Sequence, residues 1–148
     1  MGLKDDIAAS VKDAMRKKEK VRLGVLRMLM SEMKNRQIES QKELEEADIL
    51  QVITRMVKQR HDSAEQFTKG GREELAAKEM SEIEVLQGYL PKALSENELE
   101  KLVKEAIAET QATSKKDMGK IMKVVMPKIA GRADGKAVNM MVARLLAS

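Results

Sequence analysis

Apolar residues recur every three to four positions along most of this chain, in segments that short polar or glycine-containing stretches separate. This spacing is the period of an amphipathic α-helix, and no segment alternates between apolar and polar residues as a half-buried strand would. The pattern therefore predicts seven helices. The residues that mark them run from Leu3 to Met15, from 21 to 38, from Ile49 to Phe67, from Leu75 to Leu90, from Leu99 to Ile107, from Lys115 to Met126 or Ile129, and from Val138 to Leu145.

Turn and capping residues divide these helices into two groups. Gly70-Gly71 stops the third helix, because glycine readily adopts the left-handed conformation of a helix C-cap, so the third and fourth helices are expected to form an antiparallel hairpin. Pro91 ends the fourth helix, and Ser95-Glu96-Asn97-Glu98 has the spacing of a capping box for the fifth. The sequence thus predicts an N-terminal helical domain over residues 1–91 and a C-terminal three-helix domain over residues 92–148.

Composition indicates an all-α fold class. Apolar residues make up 43% of the 148 positions, but Phe67 and Tyr89 are the only aromatic residues, and twelve methionines supplement the aliphatic ones. Strands favour aromatic and β-branched residues, whereas helices accept Leu, Ala and Met readily. We therefore expect an N-terminal helical bundle that includes the long hairpin, followed by the small three-helix domain.

Residues that the chain lacks exclude several classes of active site. There is no cysteine, which rules out thiolate catalysis, disulfides and Cys-based zinc sites, and a single histidine, His61, cannot form a histidine cluster. No Walker-type phosphate loop occurs. No catalytic residue, metal site or cofactor is therefore predicted. The N-terminus has no apolar h-region and no apolar run is long enough to span a bilayer, so a cytoplasmic protein without membrane association is expected.

Two charged residues interrupt the apolar stripes of the predicted hairpin. Arg60 lies within the stripe of the third helix, and Glu79 lies within that of the fourth. Burying either charge without a partner would be costly. Because the two residues stand at similar distances in sequence from the Gly70-Gly71 turn, an antiparallel hairpin would bring them level. We therefore expect a structural ion pair between Arg60 and Glu79.

Charge is unevenly distributed along the chain. Residues 1–94 have a net charge of +1, residues 95–114 of −3 and residues 115–148 of +6, within a total of +4. Such asymmetry indicates that an anionic partner would bind the C-terminal third. With only two aromatic residues, the chain is poorly suited to reading single-stranded RNA by base stacking, which leaves contacts to phosphates and to the shape of a structured RNA.

Lysines of the sixth helix form the most distinctive basic face. Lys116, Lys120 and Lys123 lie on the side opposite the apolar ridges, and a phosphate backbone would suit them, although the same charges are typical of an ordinary solvated surface. Beyond them, Gly131 is expected to end the sixth helix and Asp134 to cap the seventh. The residues predicted to bind RNA are Lys116, Lys120, Lys123, Lys128, Arg132 and Lys136.

Several short motifs occur in order along the chain: Lys58-Gln59-Arg60, Tyr89-Leu90-Pro91 followed by Leu94-Ser95, Asp117-Met118-Gly119-Lys120, Met126-Pro127-Lys128 and Gly131-Arg132-Ala133-Asp134-Gly135. Together they resemble those of the YqeY-like proteins, and the resemblance covers essentially the whole chain. This family shares a domain with the C-terminal region of the B subunit of tRNA-dependent amidotransferases. Each motif is short, and the ordered set makes the resemblance specific.

The resemblance implies two all-α parts and, by analogy with the amidotransferase tail, binding of tRNA or another structured RNA. It also carries a label of carbon–nitrogen ligase activity with glutamine as amido-N-donor. For that reaction the residues offer neither a nucleophile for glutamine hydrolysis nor a phosphate site, so no intrinsic activity is expected. Two hypotheses follow. One is an accessory RNA-binding module that works with a protein of the tRNA aminoacylation or amidation machinery, and the other is a protein–protein adaptor whose basic face meets an acidic partner.

Overall fold

The computed structural model describes residues 2–129 and 132–147. These residues form α-helices, one short 3₁₀ helix and connecting segments, and they contain no strand. The prediction of an all-α fold is confirmed. The α-helices are α1 (Leu3–Arg16), α2 (Lys20–Ser40), α3 (Glu46–Lys69), α4 (Glu73–Gln87), α5 (Glu96–Thr110), α6 (Met118–Ile129) and α7 (Gly135–Ala147), and the 3₁₀ helix is Lys115–Asp117.

The chain divides into two compact units between Leu90 and Pro91, one residue before the boundary expected from the sequence. The N-terminal unit contains α1 to α4, and the C-terminal unit contains α5 to α7. Each unit has a hydrophobic core of its own. Residues 1–90 carry 17 basic and 17 acidic side chains, whereas residues 91–148 carry 11 and 7. The whole net charge of +4 therefore belongs to the C-terminal unit.

Helix α2 provides much of the N-terminal core and contacts α1, α3 and α4. Its buried residues Val25, Leu26, Leu29 and Met33 recur at helical spacing, as the pattern predicts. The apolar surface of α2 is not completely buried, because its three neighbours leave uncovered a half-exposed side that includes Met28. The methionine thioether tolerates such a boundary position, since it is flexible and only moderately apolar.

A cluster of charged side chains joins α1 to α2. Asp13 accepts hydrogen bonds from Arg22 Nη1 at 2.9 Å and from Arg16 Nη2 at 3.1 Å, and Lys17 Nζ lies 3.2 Å from its carboxylate. These donors, Arg22 first, lower the pKa of Asp13 to about 2. Because a depressed pKa means that the folded state favours the ionised form, the cluster stabilises the unit at neutral pH.

Helices α3 and α4 form the predicted antiparallel hairpin. They join through a turn at residues 70–72, in which Gly71 has a φ of 75°. In this left-handed region a β-carbon would be strained, so glycine is the residue that suits the turn. Helix α4 ends at Gln87, three residues before the expected end at Leu90, and Gly88 is its C-cap. Ile53 of α3 and Leu86 of α4 are fully buried in the shared core.

The partner of Arg60 differs from the one expected. Arg60 is buried on α3, as predicted, but its Nε lies 3.6 Å from Glu82 Oε2. No ion pair joins Arg60 to Glu79 in the part of the chain that the structure describes, so the prediction of that pairing was wrong. The turn between the helices comprises residues 70–72 and is centred on Gly71, which lies eleven residues from both Arg60 and Glu82. Glu79 lies only eight residues from Gly71, three fewer than Arg60, so it stands about one helical turn away from the position level with Arg60.

Helix α5 opens the C-terminal unit with the predicted capping box. Ser95 Oγ accepts a hydrogen bond from the Glu98 amide at 3.2 Å, and Glu98 Oε1 accepts one from the Ser95 amide at 3.3 Å. Helices α5, α6 and α7 all contact one another, as a three-helix arrangement requires. Their fully buried residues are Val103, Ala106, Ile121, Val125, Ile129, Val138 and Val142.

Candidate nucleic-acid interface

Helix α6 presents its basic residues to solvent because its apolar residues face the core. Ile121, Val125 and Ile129 are fully buried, while Lys120 and Lys123, one turn apart, are exposed. Lys116 is exposed in the 3₁₀ helix that leads directly into α6. The methionines of α6 are partly buried against the same core, which they fill together with the aliphatic residues.

Acidic side chains close to the lysines neutralise part of this charge. Lys120 Nζ lies 3.9 Å from Asp117 Oδ1, and Lys128 Nζ lies 3.5 Å from Glu109 Oε2. The pKa of Asp117 is lowered chiefly by the hydrogen bond that its carboxylate accepts from the Thr113 amide, with Lys120 contributing less. Both lysines are exposed, so these ion pairs are weak enough for a phosphate to displace.

Three of the predicted residues have no such neighbour. Within the described ranges, no carboxylate lies within 4.0 Å of Lys116, Lys123 or Lys136, and all three side chains are exposed. We refer to the six predicted residues Lys116, Lys120, Lys123, Lys128, Arg132 and Lys136 as the basic strip. Its three unpaired lysines are the cations most available to an anionic partner.

Arg132 has a structural role that the sequence did not indicate. It is half-buried, its Nε donates a hydrogen bond to the Lys92 carbonyl at 2.9 Å, and its own carbonyl accepts one from the Leu94 amide at 2.8 Å. These two bonds fasten the segment before α5 to the segment before α7. Arg132 therefore contributes positive charge to the basic strip, but its Nε is not free to reach a ligand.

The start of α7 agrees with the expectation that Asp134 caps this helix. Asp134 immediately precedes the helix, and its Oδ1 accepts a hydrogen bond from the Lys136 amide at 3.4 Å. An aspartate in this position satisfies free amides at the N-terminus and also repels an anion. The N-terminus of α7, occupied by the Asp134 carboxylate, is therefore not an anion site. Gly131, expected to end α6, lies outside the described residues.

An apolar groove of about 660 Å³ lies in the C-terminal unit beside α7. Its apolar lining includes Leu94, Ala137 and Met140, and its charged lining residues are Arg132, Arg144, Glu96 and Asp134. Sequence reasoning missed this groove because it considered only the inner stripe of α7. The sequence feature that could have indicated the groove is Met140, an apolar residue between the inward-facing positions of α7. In the structure Met140 is strongly exposed.

The remaining residues that could serve in catalysis or metal binding do not cluster in the described part of the chain. His61, the single histidine, is exposed on α3. The described residues contain no group of three or more His, Asp or Glu side chains arranged to hold a metal ion. None of the described helices combines the length and the apolar character needed to cross a bilayer. The best candidate for a functional site is therefore the basic strip, together with the groove that Arg132 also lines.

Comparison with known proteins identifies relatives along nearly the whole chain. The family model described as "Yqey-like protein" matches residues 4–146. Three fungal proteins named "Altered inheritance of mitochondria protein 41, mitochondrial" are similar to this chain. The one from Pyrenophora tritici-repentis is 33% identical over 86% of this chain and 71% of its own length. The proteins of Lachancea thermotolerans and Kluyveromyces lactis are 32% and 38% identical, over 74% and 60% of this chain.

The chain spans 60% of the Lachancea protein and half of the Kluyveromyces protein. The names of these relatives contradict the prediction of a cytoplasmic protein, since each places its protein in mitochondria. That prediction was wrong because it rested on the lack of an apolar run long enough to span a bilayer and on the missing apolar h-region. Such a region distinguishes a secretory signal from other N-termini, and it does not distinguish the cytosol from an organelle.

Proposed function

This chain belongs to the YqeY-like family, and from that premise we propose that it is an accessory module that binds tRNA or another structured RNA through the basic strip of its C-terminal unit. The observation that carries the proposal is the placement of the charge. The N-terminal unit is neutral overall, whereas the C-terminal unit has the whole excess of four positive charges. Electrostatic attraction would therefore orient this unit toward a polyanion.

The chemistry of the strip supports contacts to phosphates rather than to bases. Its members are lysines apart from Arg132, and a lysine ammonium acts as a point charge that accepts many geometries. Neither aromatic residue of the chain, Phe67 or Tyr89, belongs to the C-terminal unit, so no aromatic side chain can stack on a base there. The proposed mode is recognition of backbone and shape, with little dependence on base sequence.

An accessory role fits the residues better than the ligase reaction of the family label. Amide transfer from glutamine requires an activated nucleophile, for which cysteine or a serine with a neighbouring base is usual. The chain has no cysteine, and its one histidine is exposed on α3. We therefore assign RNA binding to this chain and the transfer chemistry to a protein of the aminoacylation or amidation machinery with which it would work.

A titration of the protein with bulk tRNA at several salt concentrations tests the proposal. Each phosphate contact releases about 0.9 counterion, so the double variant Lys120→Gln/Lys123→Gln should flatten the slope of log affinity against log salt by roughly 1 to 2 units. The matched control is Arg27→Gln/Lys34→Gln, which removes the same charge from exposed positions of α2. This control should change the slope much less. Equal changes in both variants would indicate diffuse attraction and contradict a site on the strip.

The apolar groove supports a second candidate function, a protein–protein adaptor. Leu94 and Met140 offer the kind of apolar surface that a partner side chain fills, and charged residues of both signs, Arg132 and Arg144 with Glu96 and Asp134, surround it. The basic strip next to the groove would favour an acidic partner. The tRNA titration separates the two functions. If no binding is measured at low salt, the RNA proposal fails and the adaptor function is the one that the surface supports.

A further inference from the structure

A methionine at the surface of the N-terminal unit lies against a buried arginine. The Met28 side chain on α2 is 51% exposed, whereas Arg60 on α3 is almost completely buried. Arg60 Nη2 donates a hydrogen bond to Met28 Sδ at 3.5 Å. Among the described methionines, no other sulfur accepts a hydrogen bond from a guanidinium group. A thioether is a weak acceptor. The Met28 sulfur is therefore accessible to solvent and is also the poor acceptor of a hydrogen bond from Arg60 Nη2.

The hydrogen bonds of Arg60 are incomplete elsewhere too. Its Nη1 donates to the Met56 carbonyl of its own helix at 3.2 Å. Its Nε is buried and has no hydrogen-bond acceptor among the described residues, because Glu82 Oε2, at 3.6 Å, is close enough for ionic attraction but too far for a hydrogen bond. A buried guanidinium with unmet donors favours any change that supplies a stronger acceptor.

We propose that Met28 is a site of oxidation by hydrogen peroxide or an organic hydroperoxide, and that Arg60 holds the resulting sulfoxide. The Sδ lone pair attacks one peroxide oxygen, an S–O bond forms and the O–O bond breaks. The transferred oxygen gives its proton to the leaving hydroxide or alkoxide, which departs as water or an alcohol. Sulfur loses two electrons, and the peroxide is reduced by the same two.

The existing separation suits the oxidised product. A sulfoxide S–O bond of about 1.5 Å and a charge-assisted hydrogen bond of about 2.8 Å, meeting at a bent angle at oxygen, together span roughly 3.5 Å. This is the distance already found between Met28 Sδ and Arg60 Nη2. The sulfoxide oxygen can therefore reach the guanidinium by rotation within the Met28 side chain, without a shift of α2 relative to α3.

Oxidation of Met28 should consequently stabilise the N-terminal unit, whereas oxidation of a methionine in the core should destabilise it. A sulfoxide is polar, so it disrupts packing where methionine is buried, as at Met33 and Met56. At Met28 the new oxygen remains at the surface and gives Arg60 a strong acceptor between α2 and α3. The N-terminal unit would then retain its fold under a peroxide dose that modifies its surface.

Peptide mapping by mass spectrometry during a hydrogen peroxide titration tests where oxidation occurs. Met15, on α1, is the reference because it is 52% exposed. Met28 should be oxidised at a rate within a few-fold of Met15, and before the buried Met33 and Met56. A Met28 rate more than tenfold slower than that of Met15 would overturn the assignment.

Substitutions that need no oxidant test the role of Arg60. Met28→Gln places an amide oxygen where the sulfoxide oxygen would lie, and Met28→Leu removes the acceptor while keeping the apolar shape. We expect the folding equilibrium constant of Met28→Gln to exceed that of Met28→Leu by roughly tenfold, as a hydrogen bond to a charged group would give. The control pair Met15→Gln and Met15→Leu should differ by no more than about twofold. Equal ratios at the two positions would overturn the capture by Arg60.

Discussion

The pairing of Arg60 with Glu82 makes the replacement Glu82→Gln the sharpest test of the N-terminal fold. Glutamine keeps the size of the side chain and removes its charge, leaving a buried guanidinium without a counterion. At 3.6 Å and an effective permittivity of about 20, two unit charges attract each other by about 4 to 5 kcal/mol. Glutamine retains a carbonyl dipole and the native pair lacks a hydrogen bond, so the net loss should be smaller. We expect the free energy of unfolding to fall by about 2 to 3 kcal/mol, near the lower end for a broken buried pair.

Urea unfolding followed by tyrosine fluorescence measures this change in the relevant unit. Tyr89 is the one tyrosine of the chain and packs against the N-terminal core, so its signal reports on that unit alone. The control is Glu79→Gln, which makes the same chemical change on the same helix at a half-buried position. It should cost less than about 0.5 kcal/mol, as is typical away from buried pairs. A loss at Glu79 equal to or greater than that at Glu82 would refute the pairing.

Two further predictions concern a charge cluster and a helix end. Asp13 has a folded pKa of about 2, below the ordinary 3.8, so its stabilisation is complete above the unfolded pKa and disappears as pH falls from about 4 to 2. The difference in urea midpoint between the wild type and Asp13→Asn, followed by Tyr89 fluorescence, should therefore shrink across that window, and a constant difference would contradict the linkage. Gln111, directly after α5, has a left-handed φ of 56°, so Gln111→Gly should raise the stability of the C-terminal unit by up to about 1 kcal/mol in circular dichroism melts. Thr110→Gly, inside the helix, should lower it by about 1 kcal/mol or less, and a loss in both variants would show that glycine gains nothing at Gln111.

Several features of this protein were determined by local sequence. The period of the apolar residues sets the helices, and the residues that end them act within a few positions, so the capping box of Ser95 and Glu98 could be predicted from their spacing. The exposure of Lys120 and Lys123 also follows from periodicity, because Ile121 and Val125 on the same helix must face the core. These are short-range relations, and the geometry of a single helix decides them.

Relations between helices were decided by the tertiary structure. Glu79 and Glu82 are both charged residues that lie partly buried on α4. The length of the turn at residues 70–72 determines which of them reaches Arg60. The groove beside Met140 forms where the segment around Leu94 lies next to α7, and Arg132 holds that segment through its hydrogen bond to the Lys92 carbonyl. The contact between Met28 and Arg60 likewise requires α2 to lie against α3. A helical period specifies the direction of a side chain around its own axis, whereas the partner it meets depends on how turns and packed side chains place the next helix.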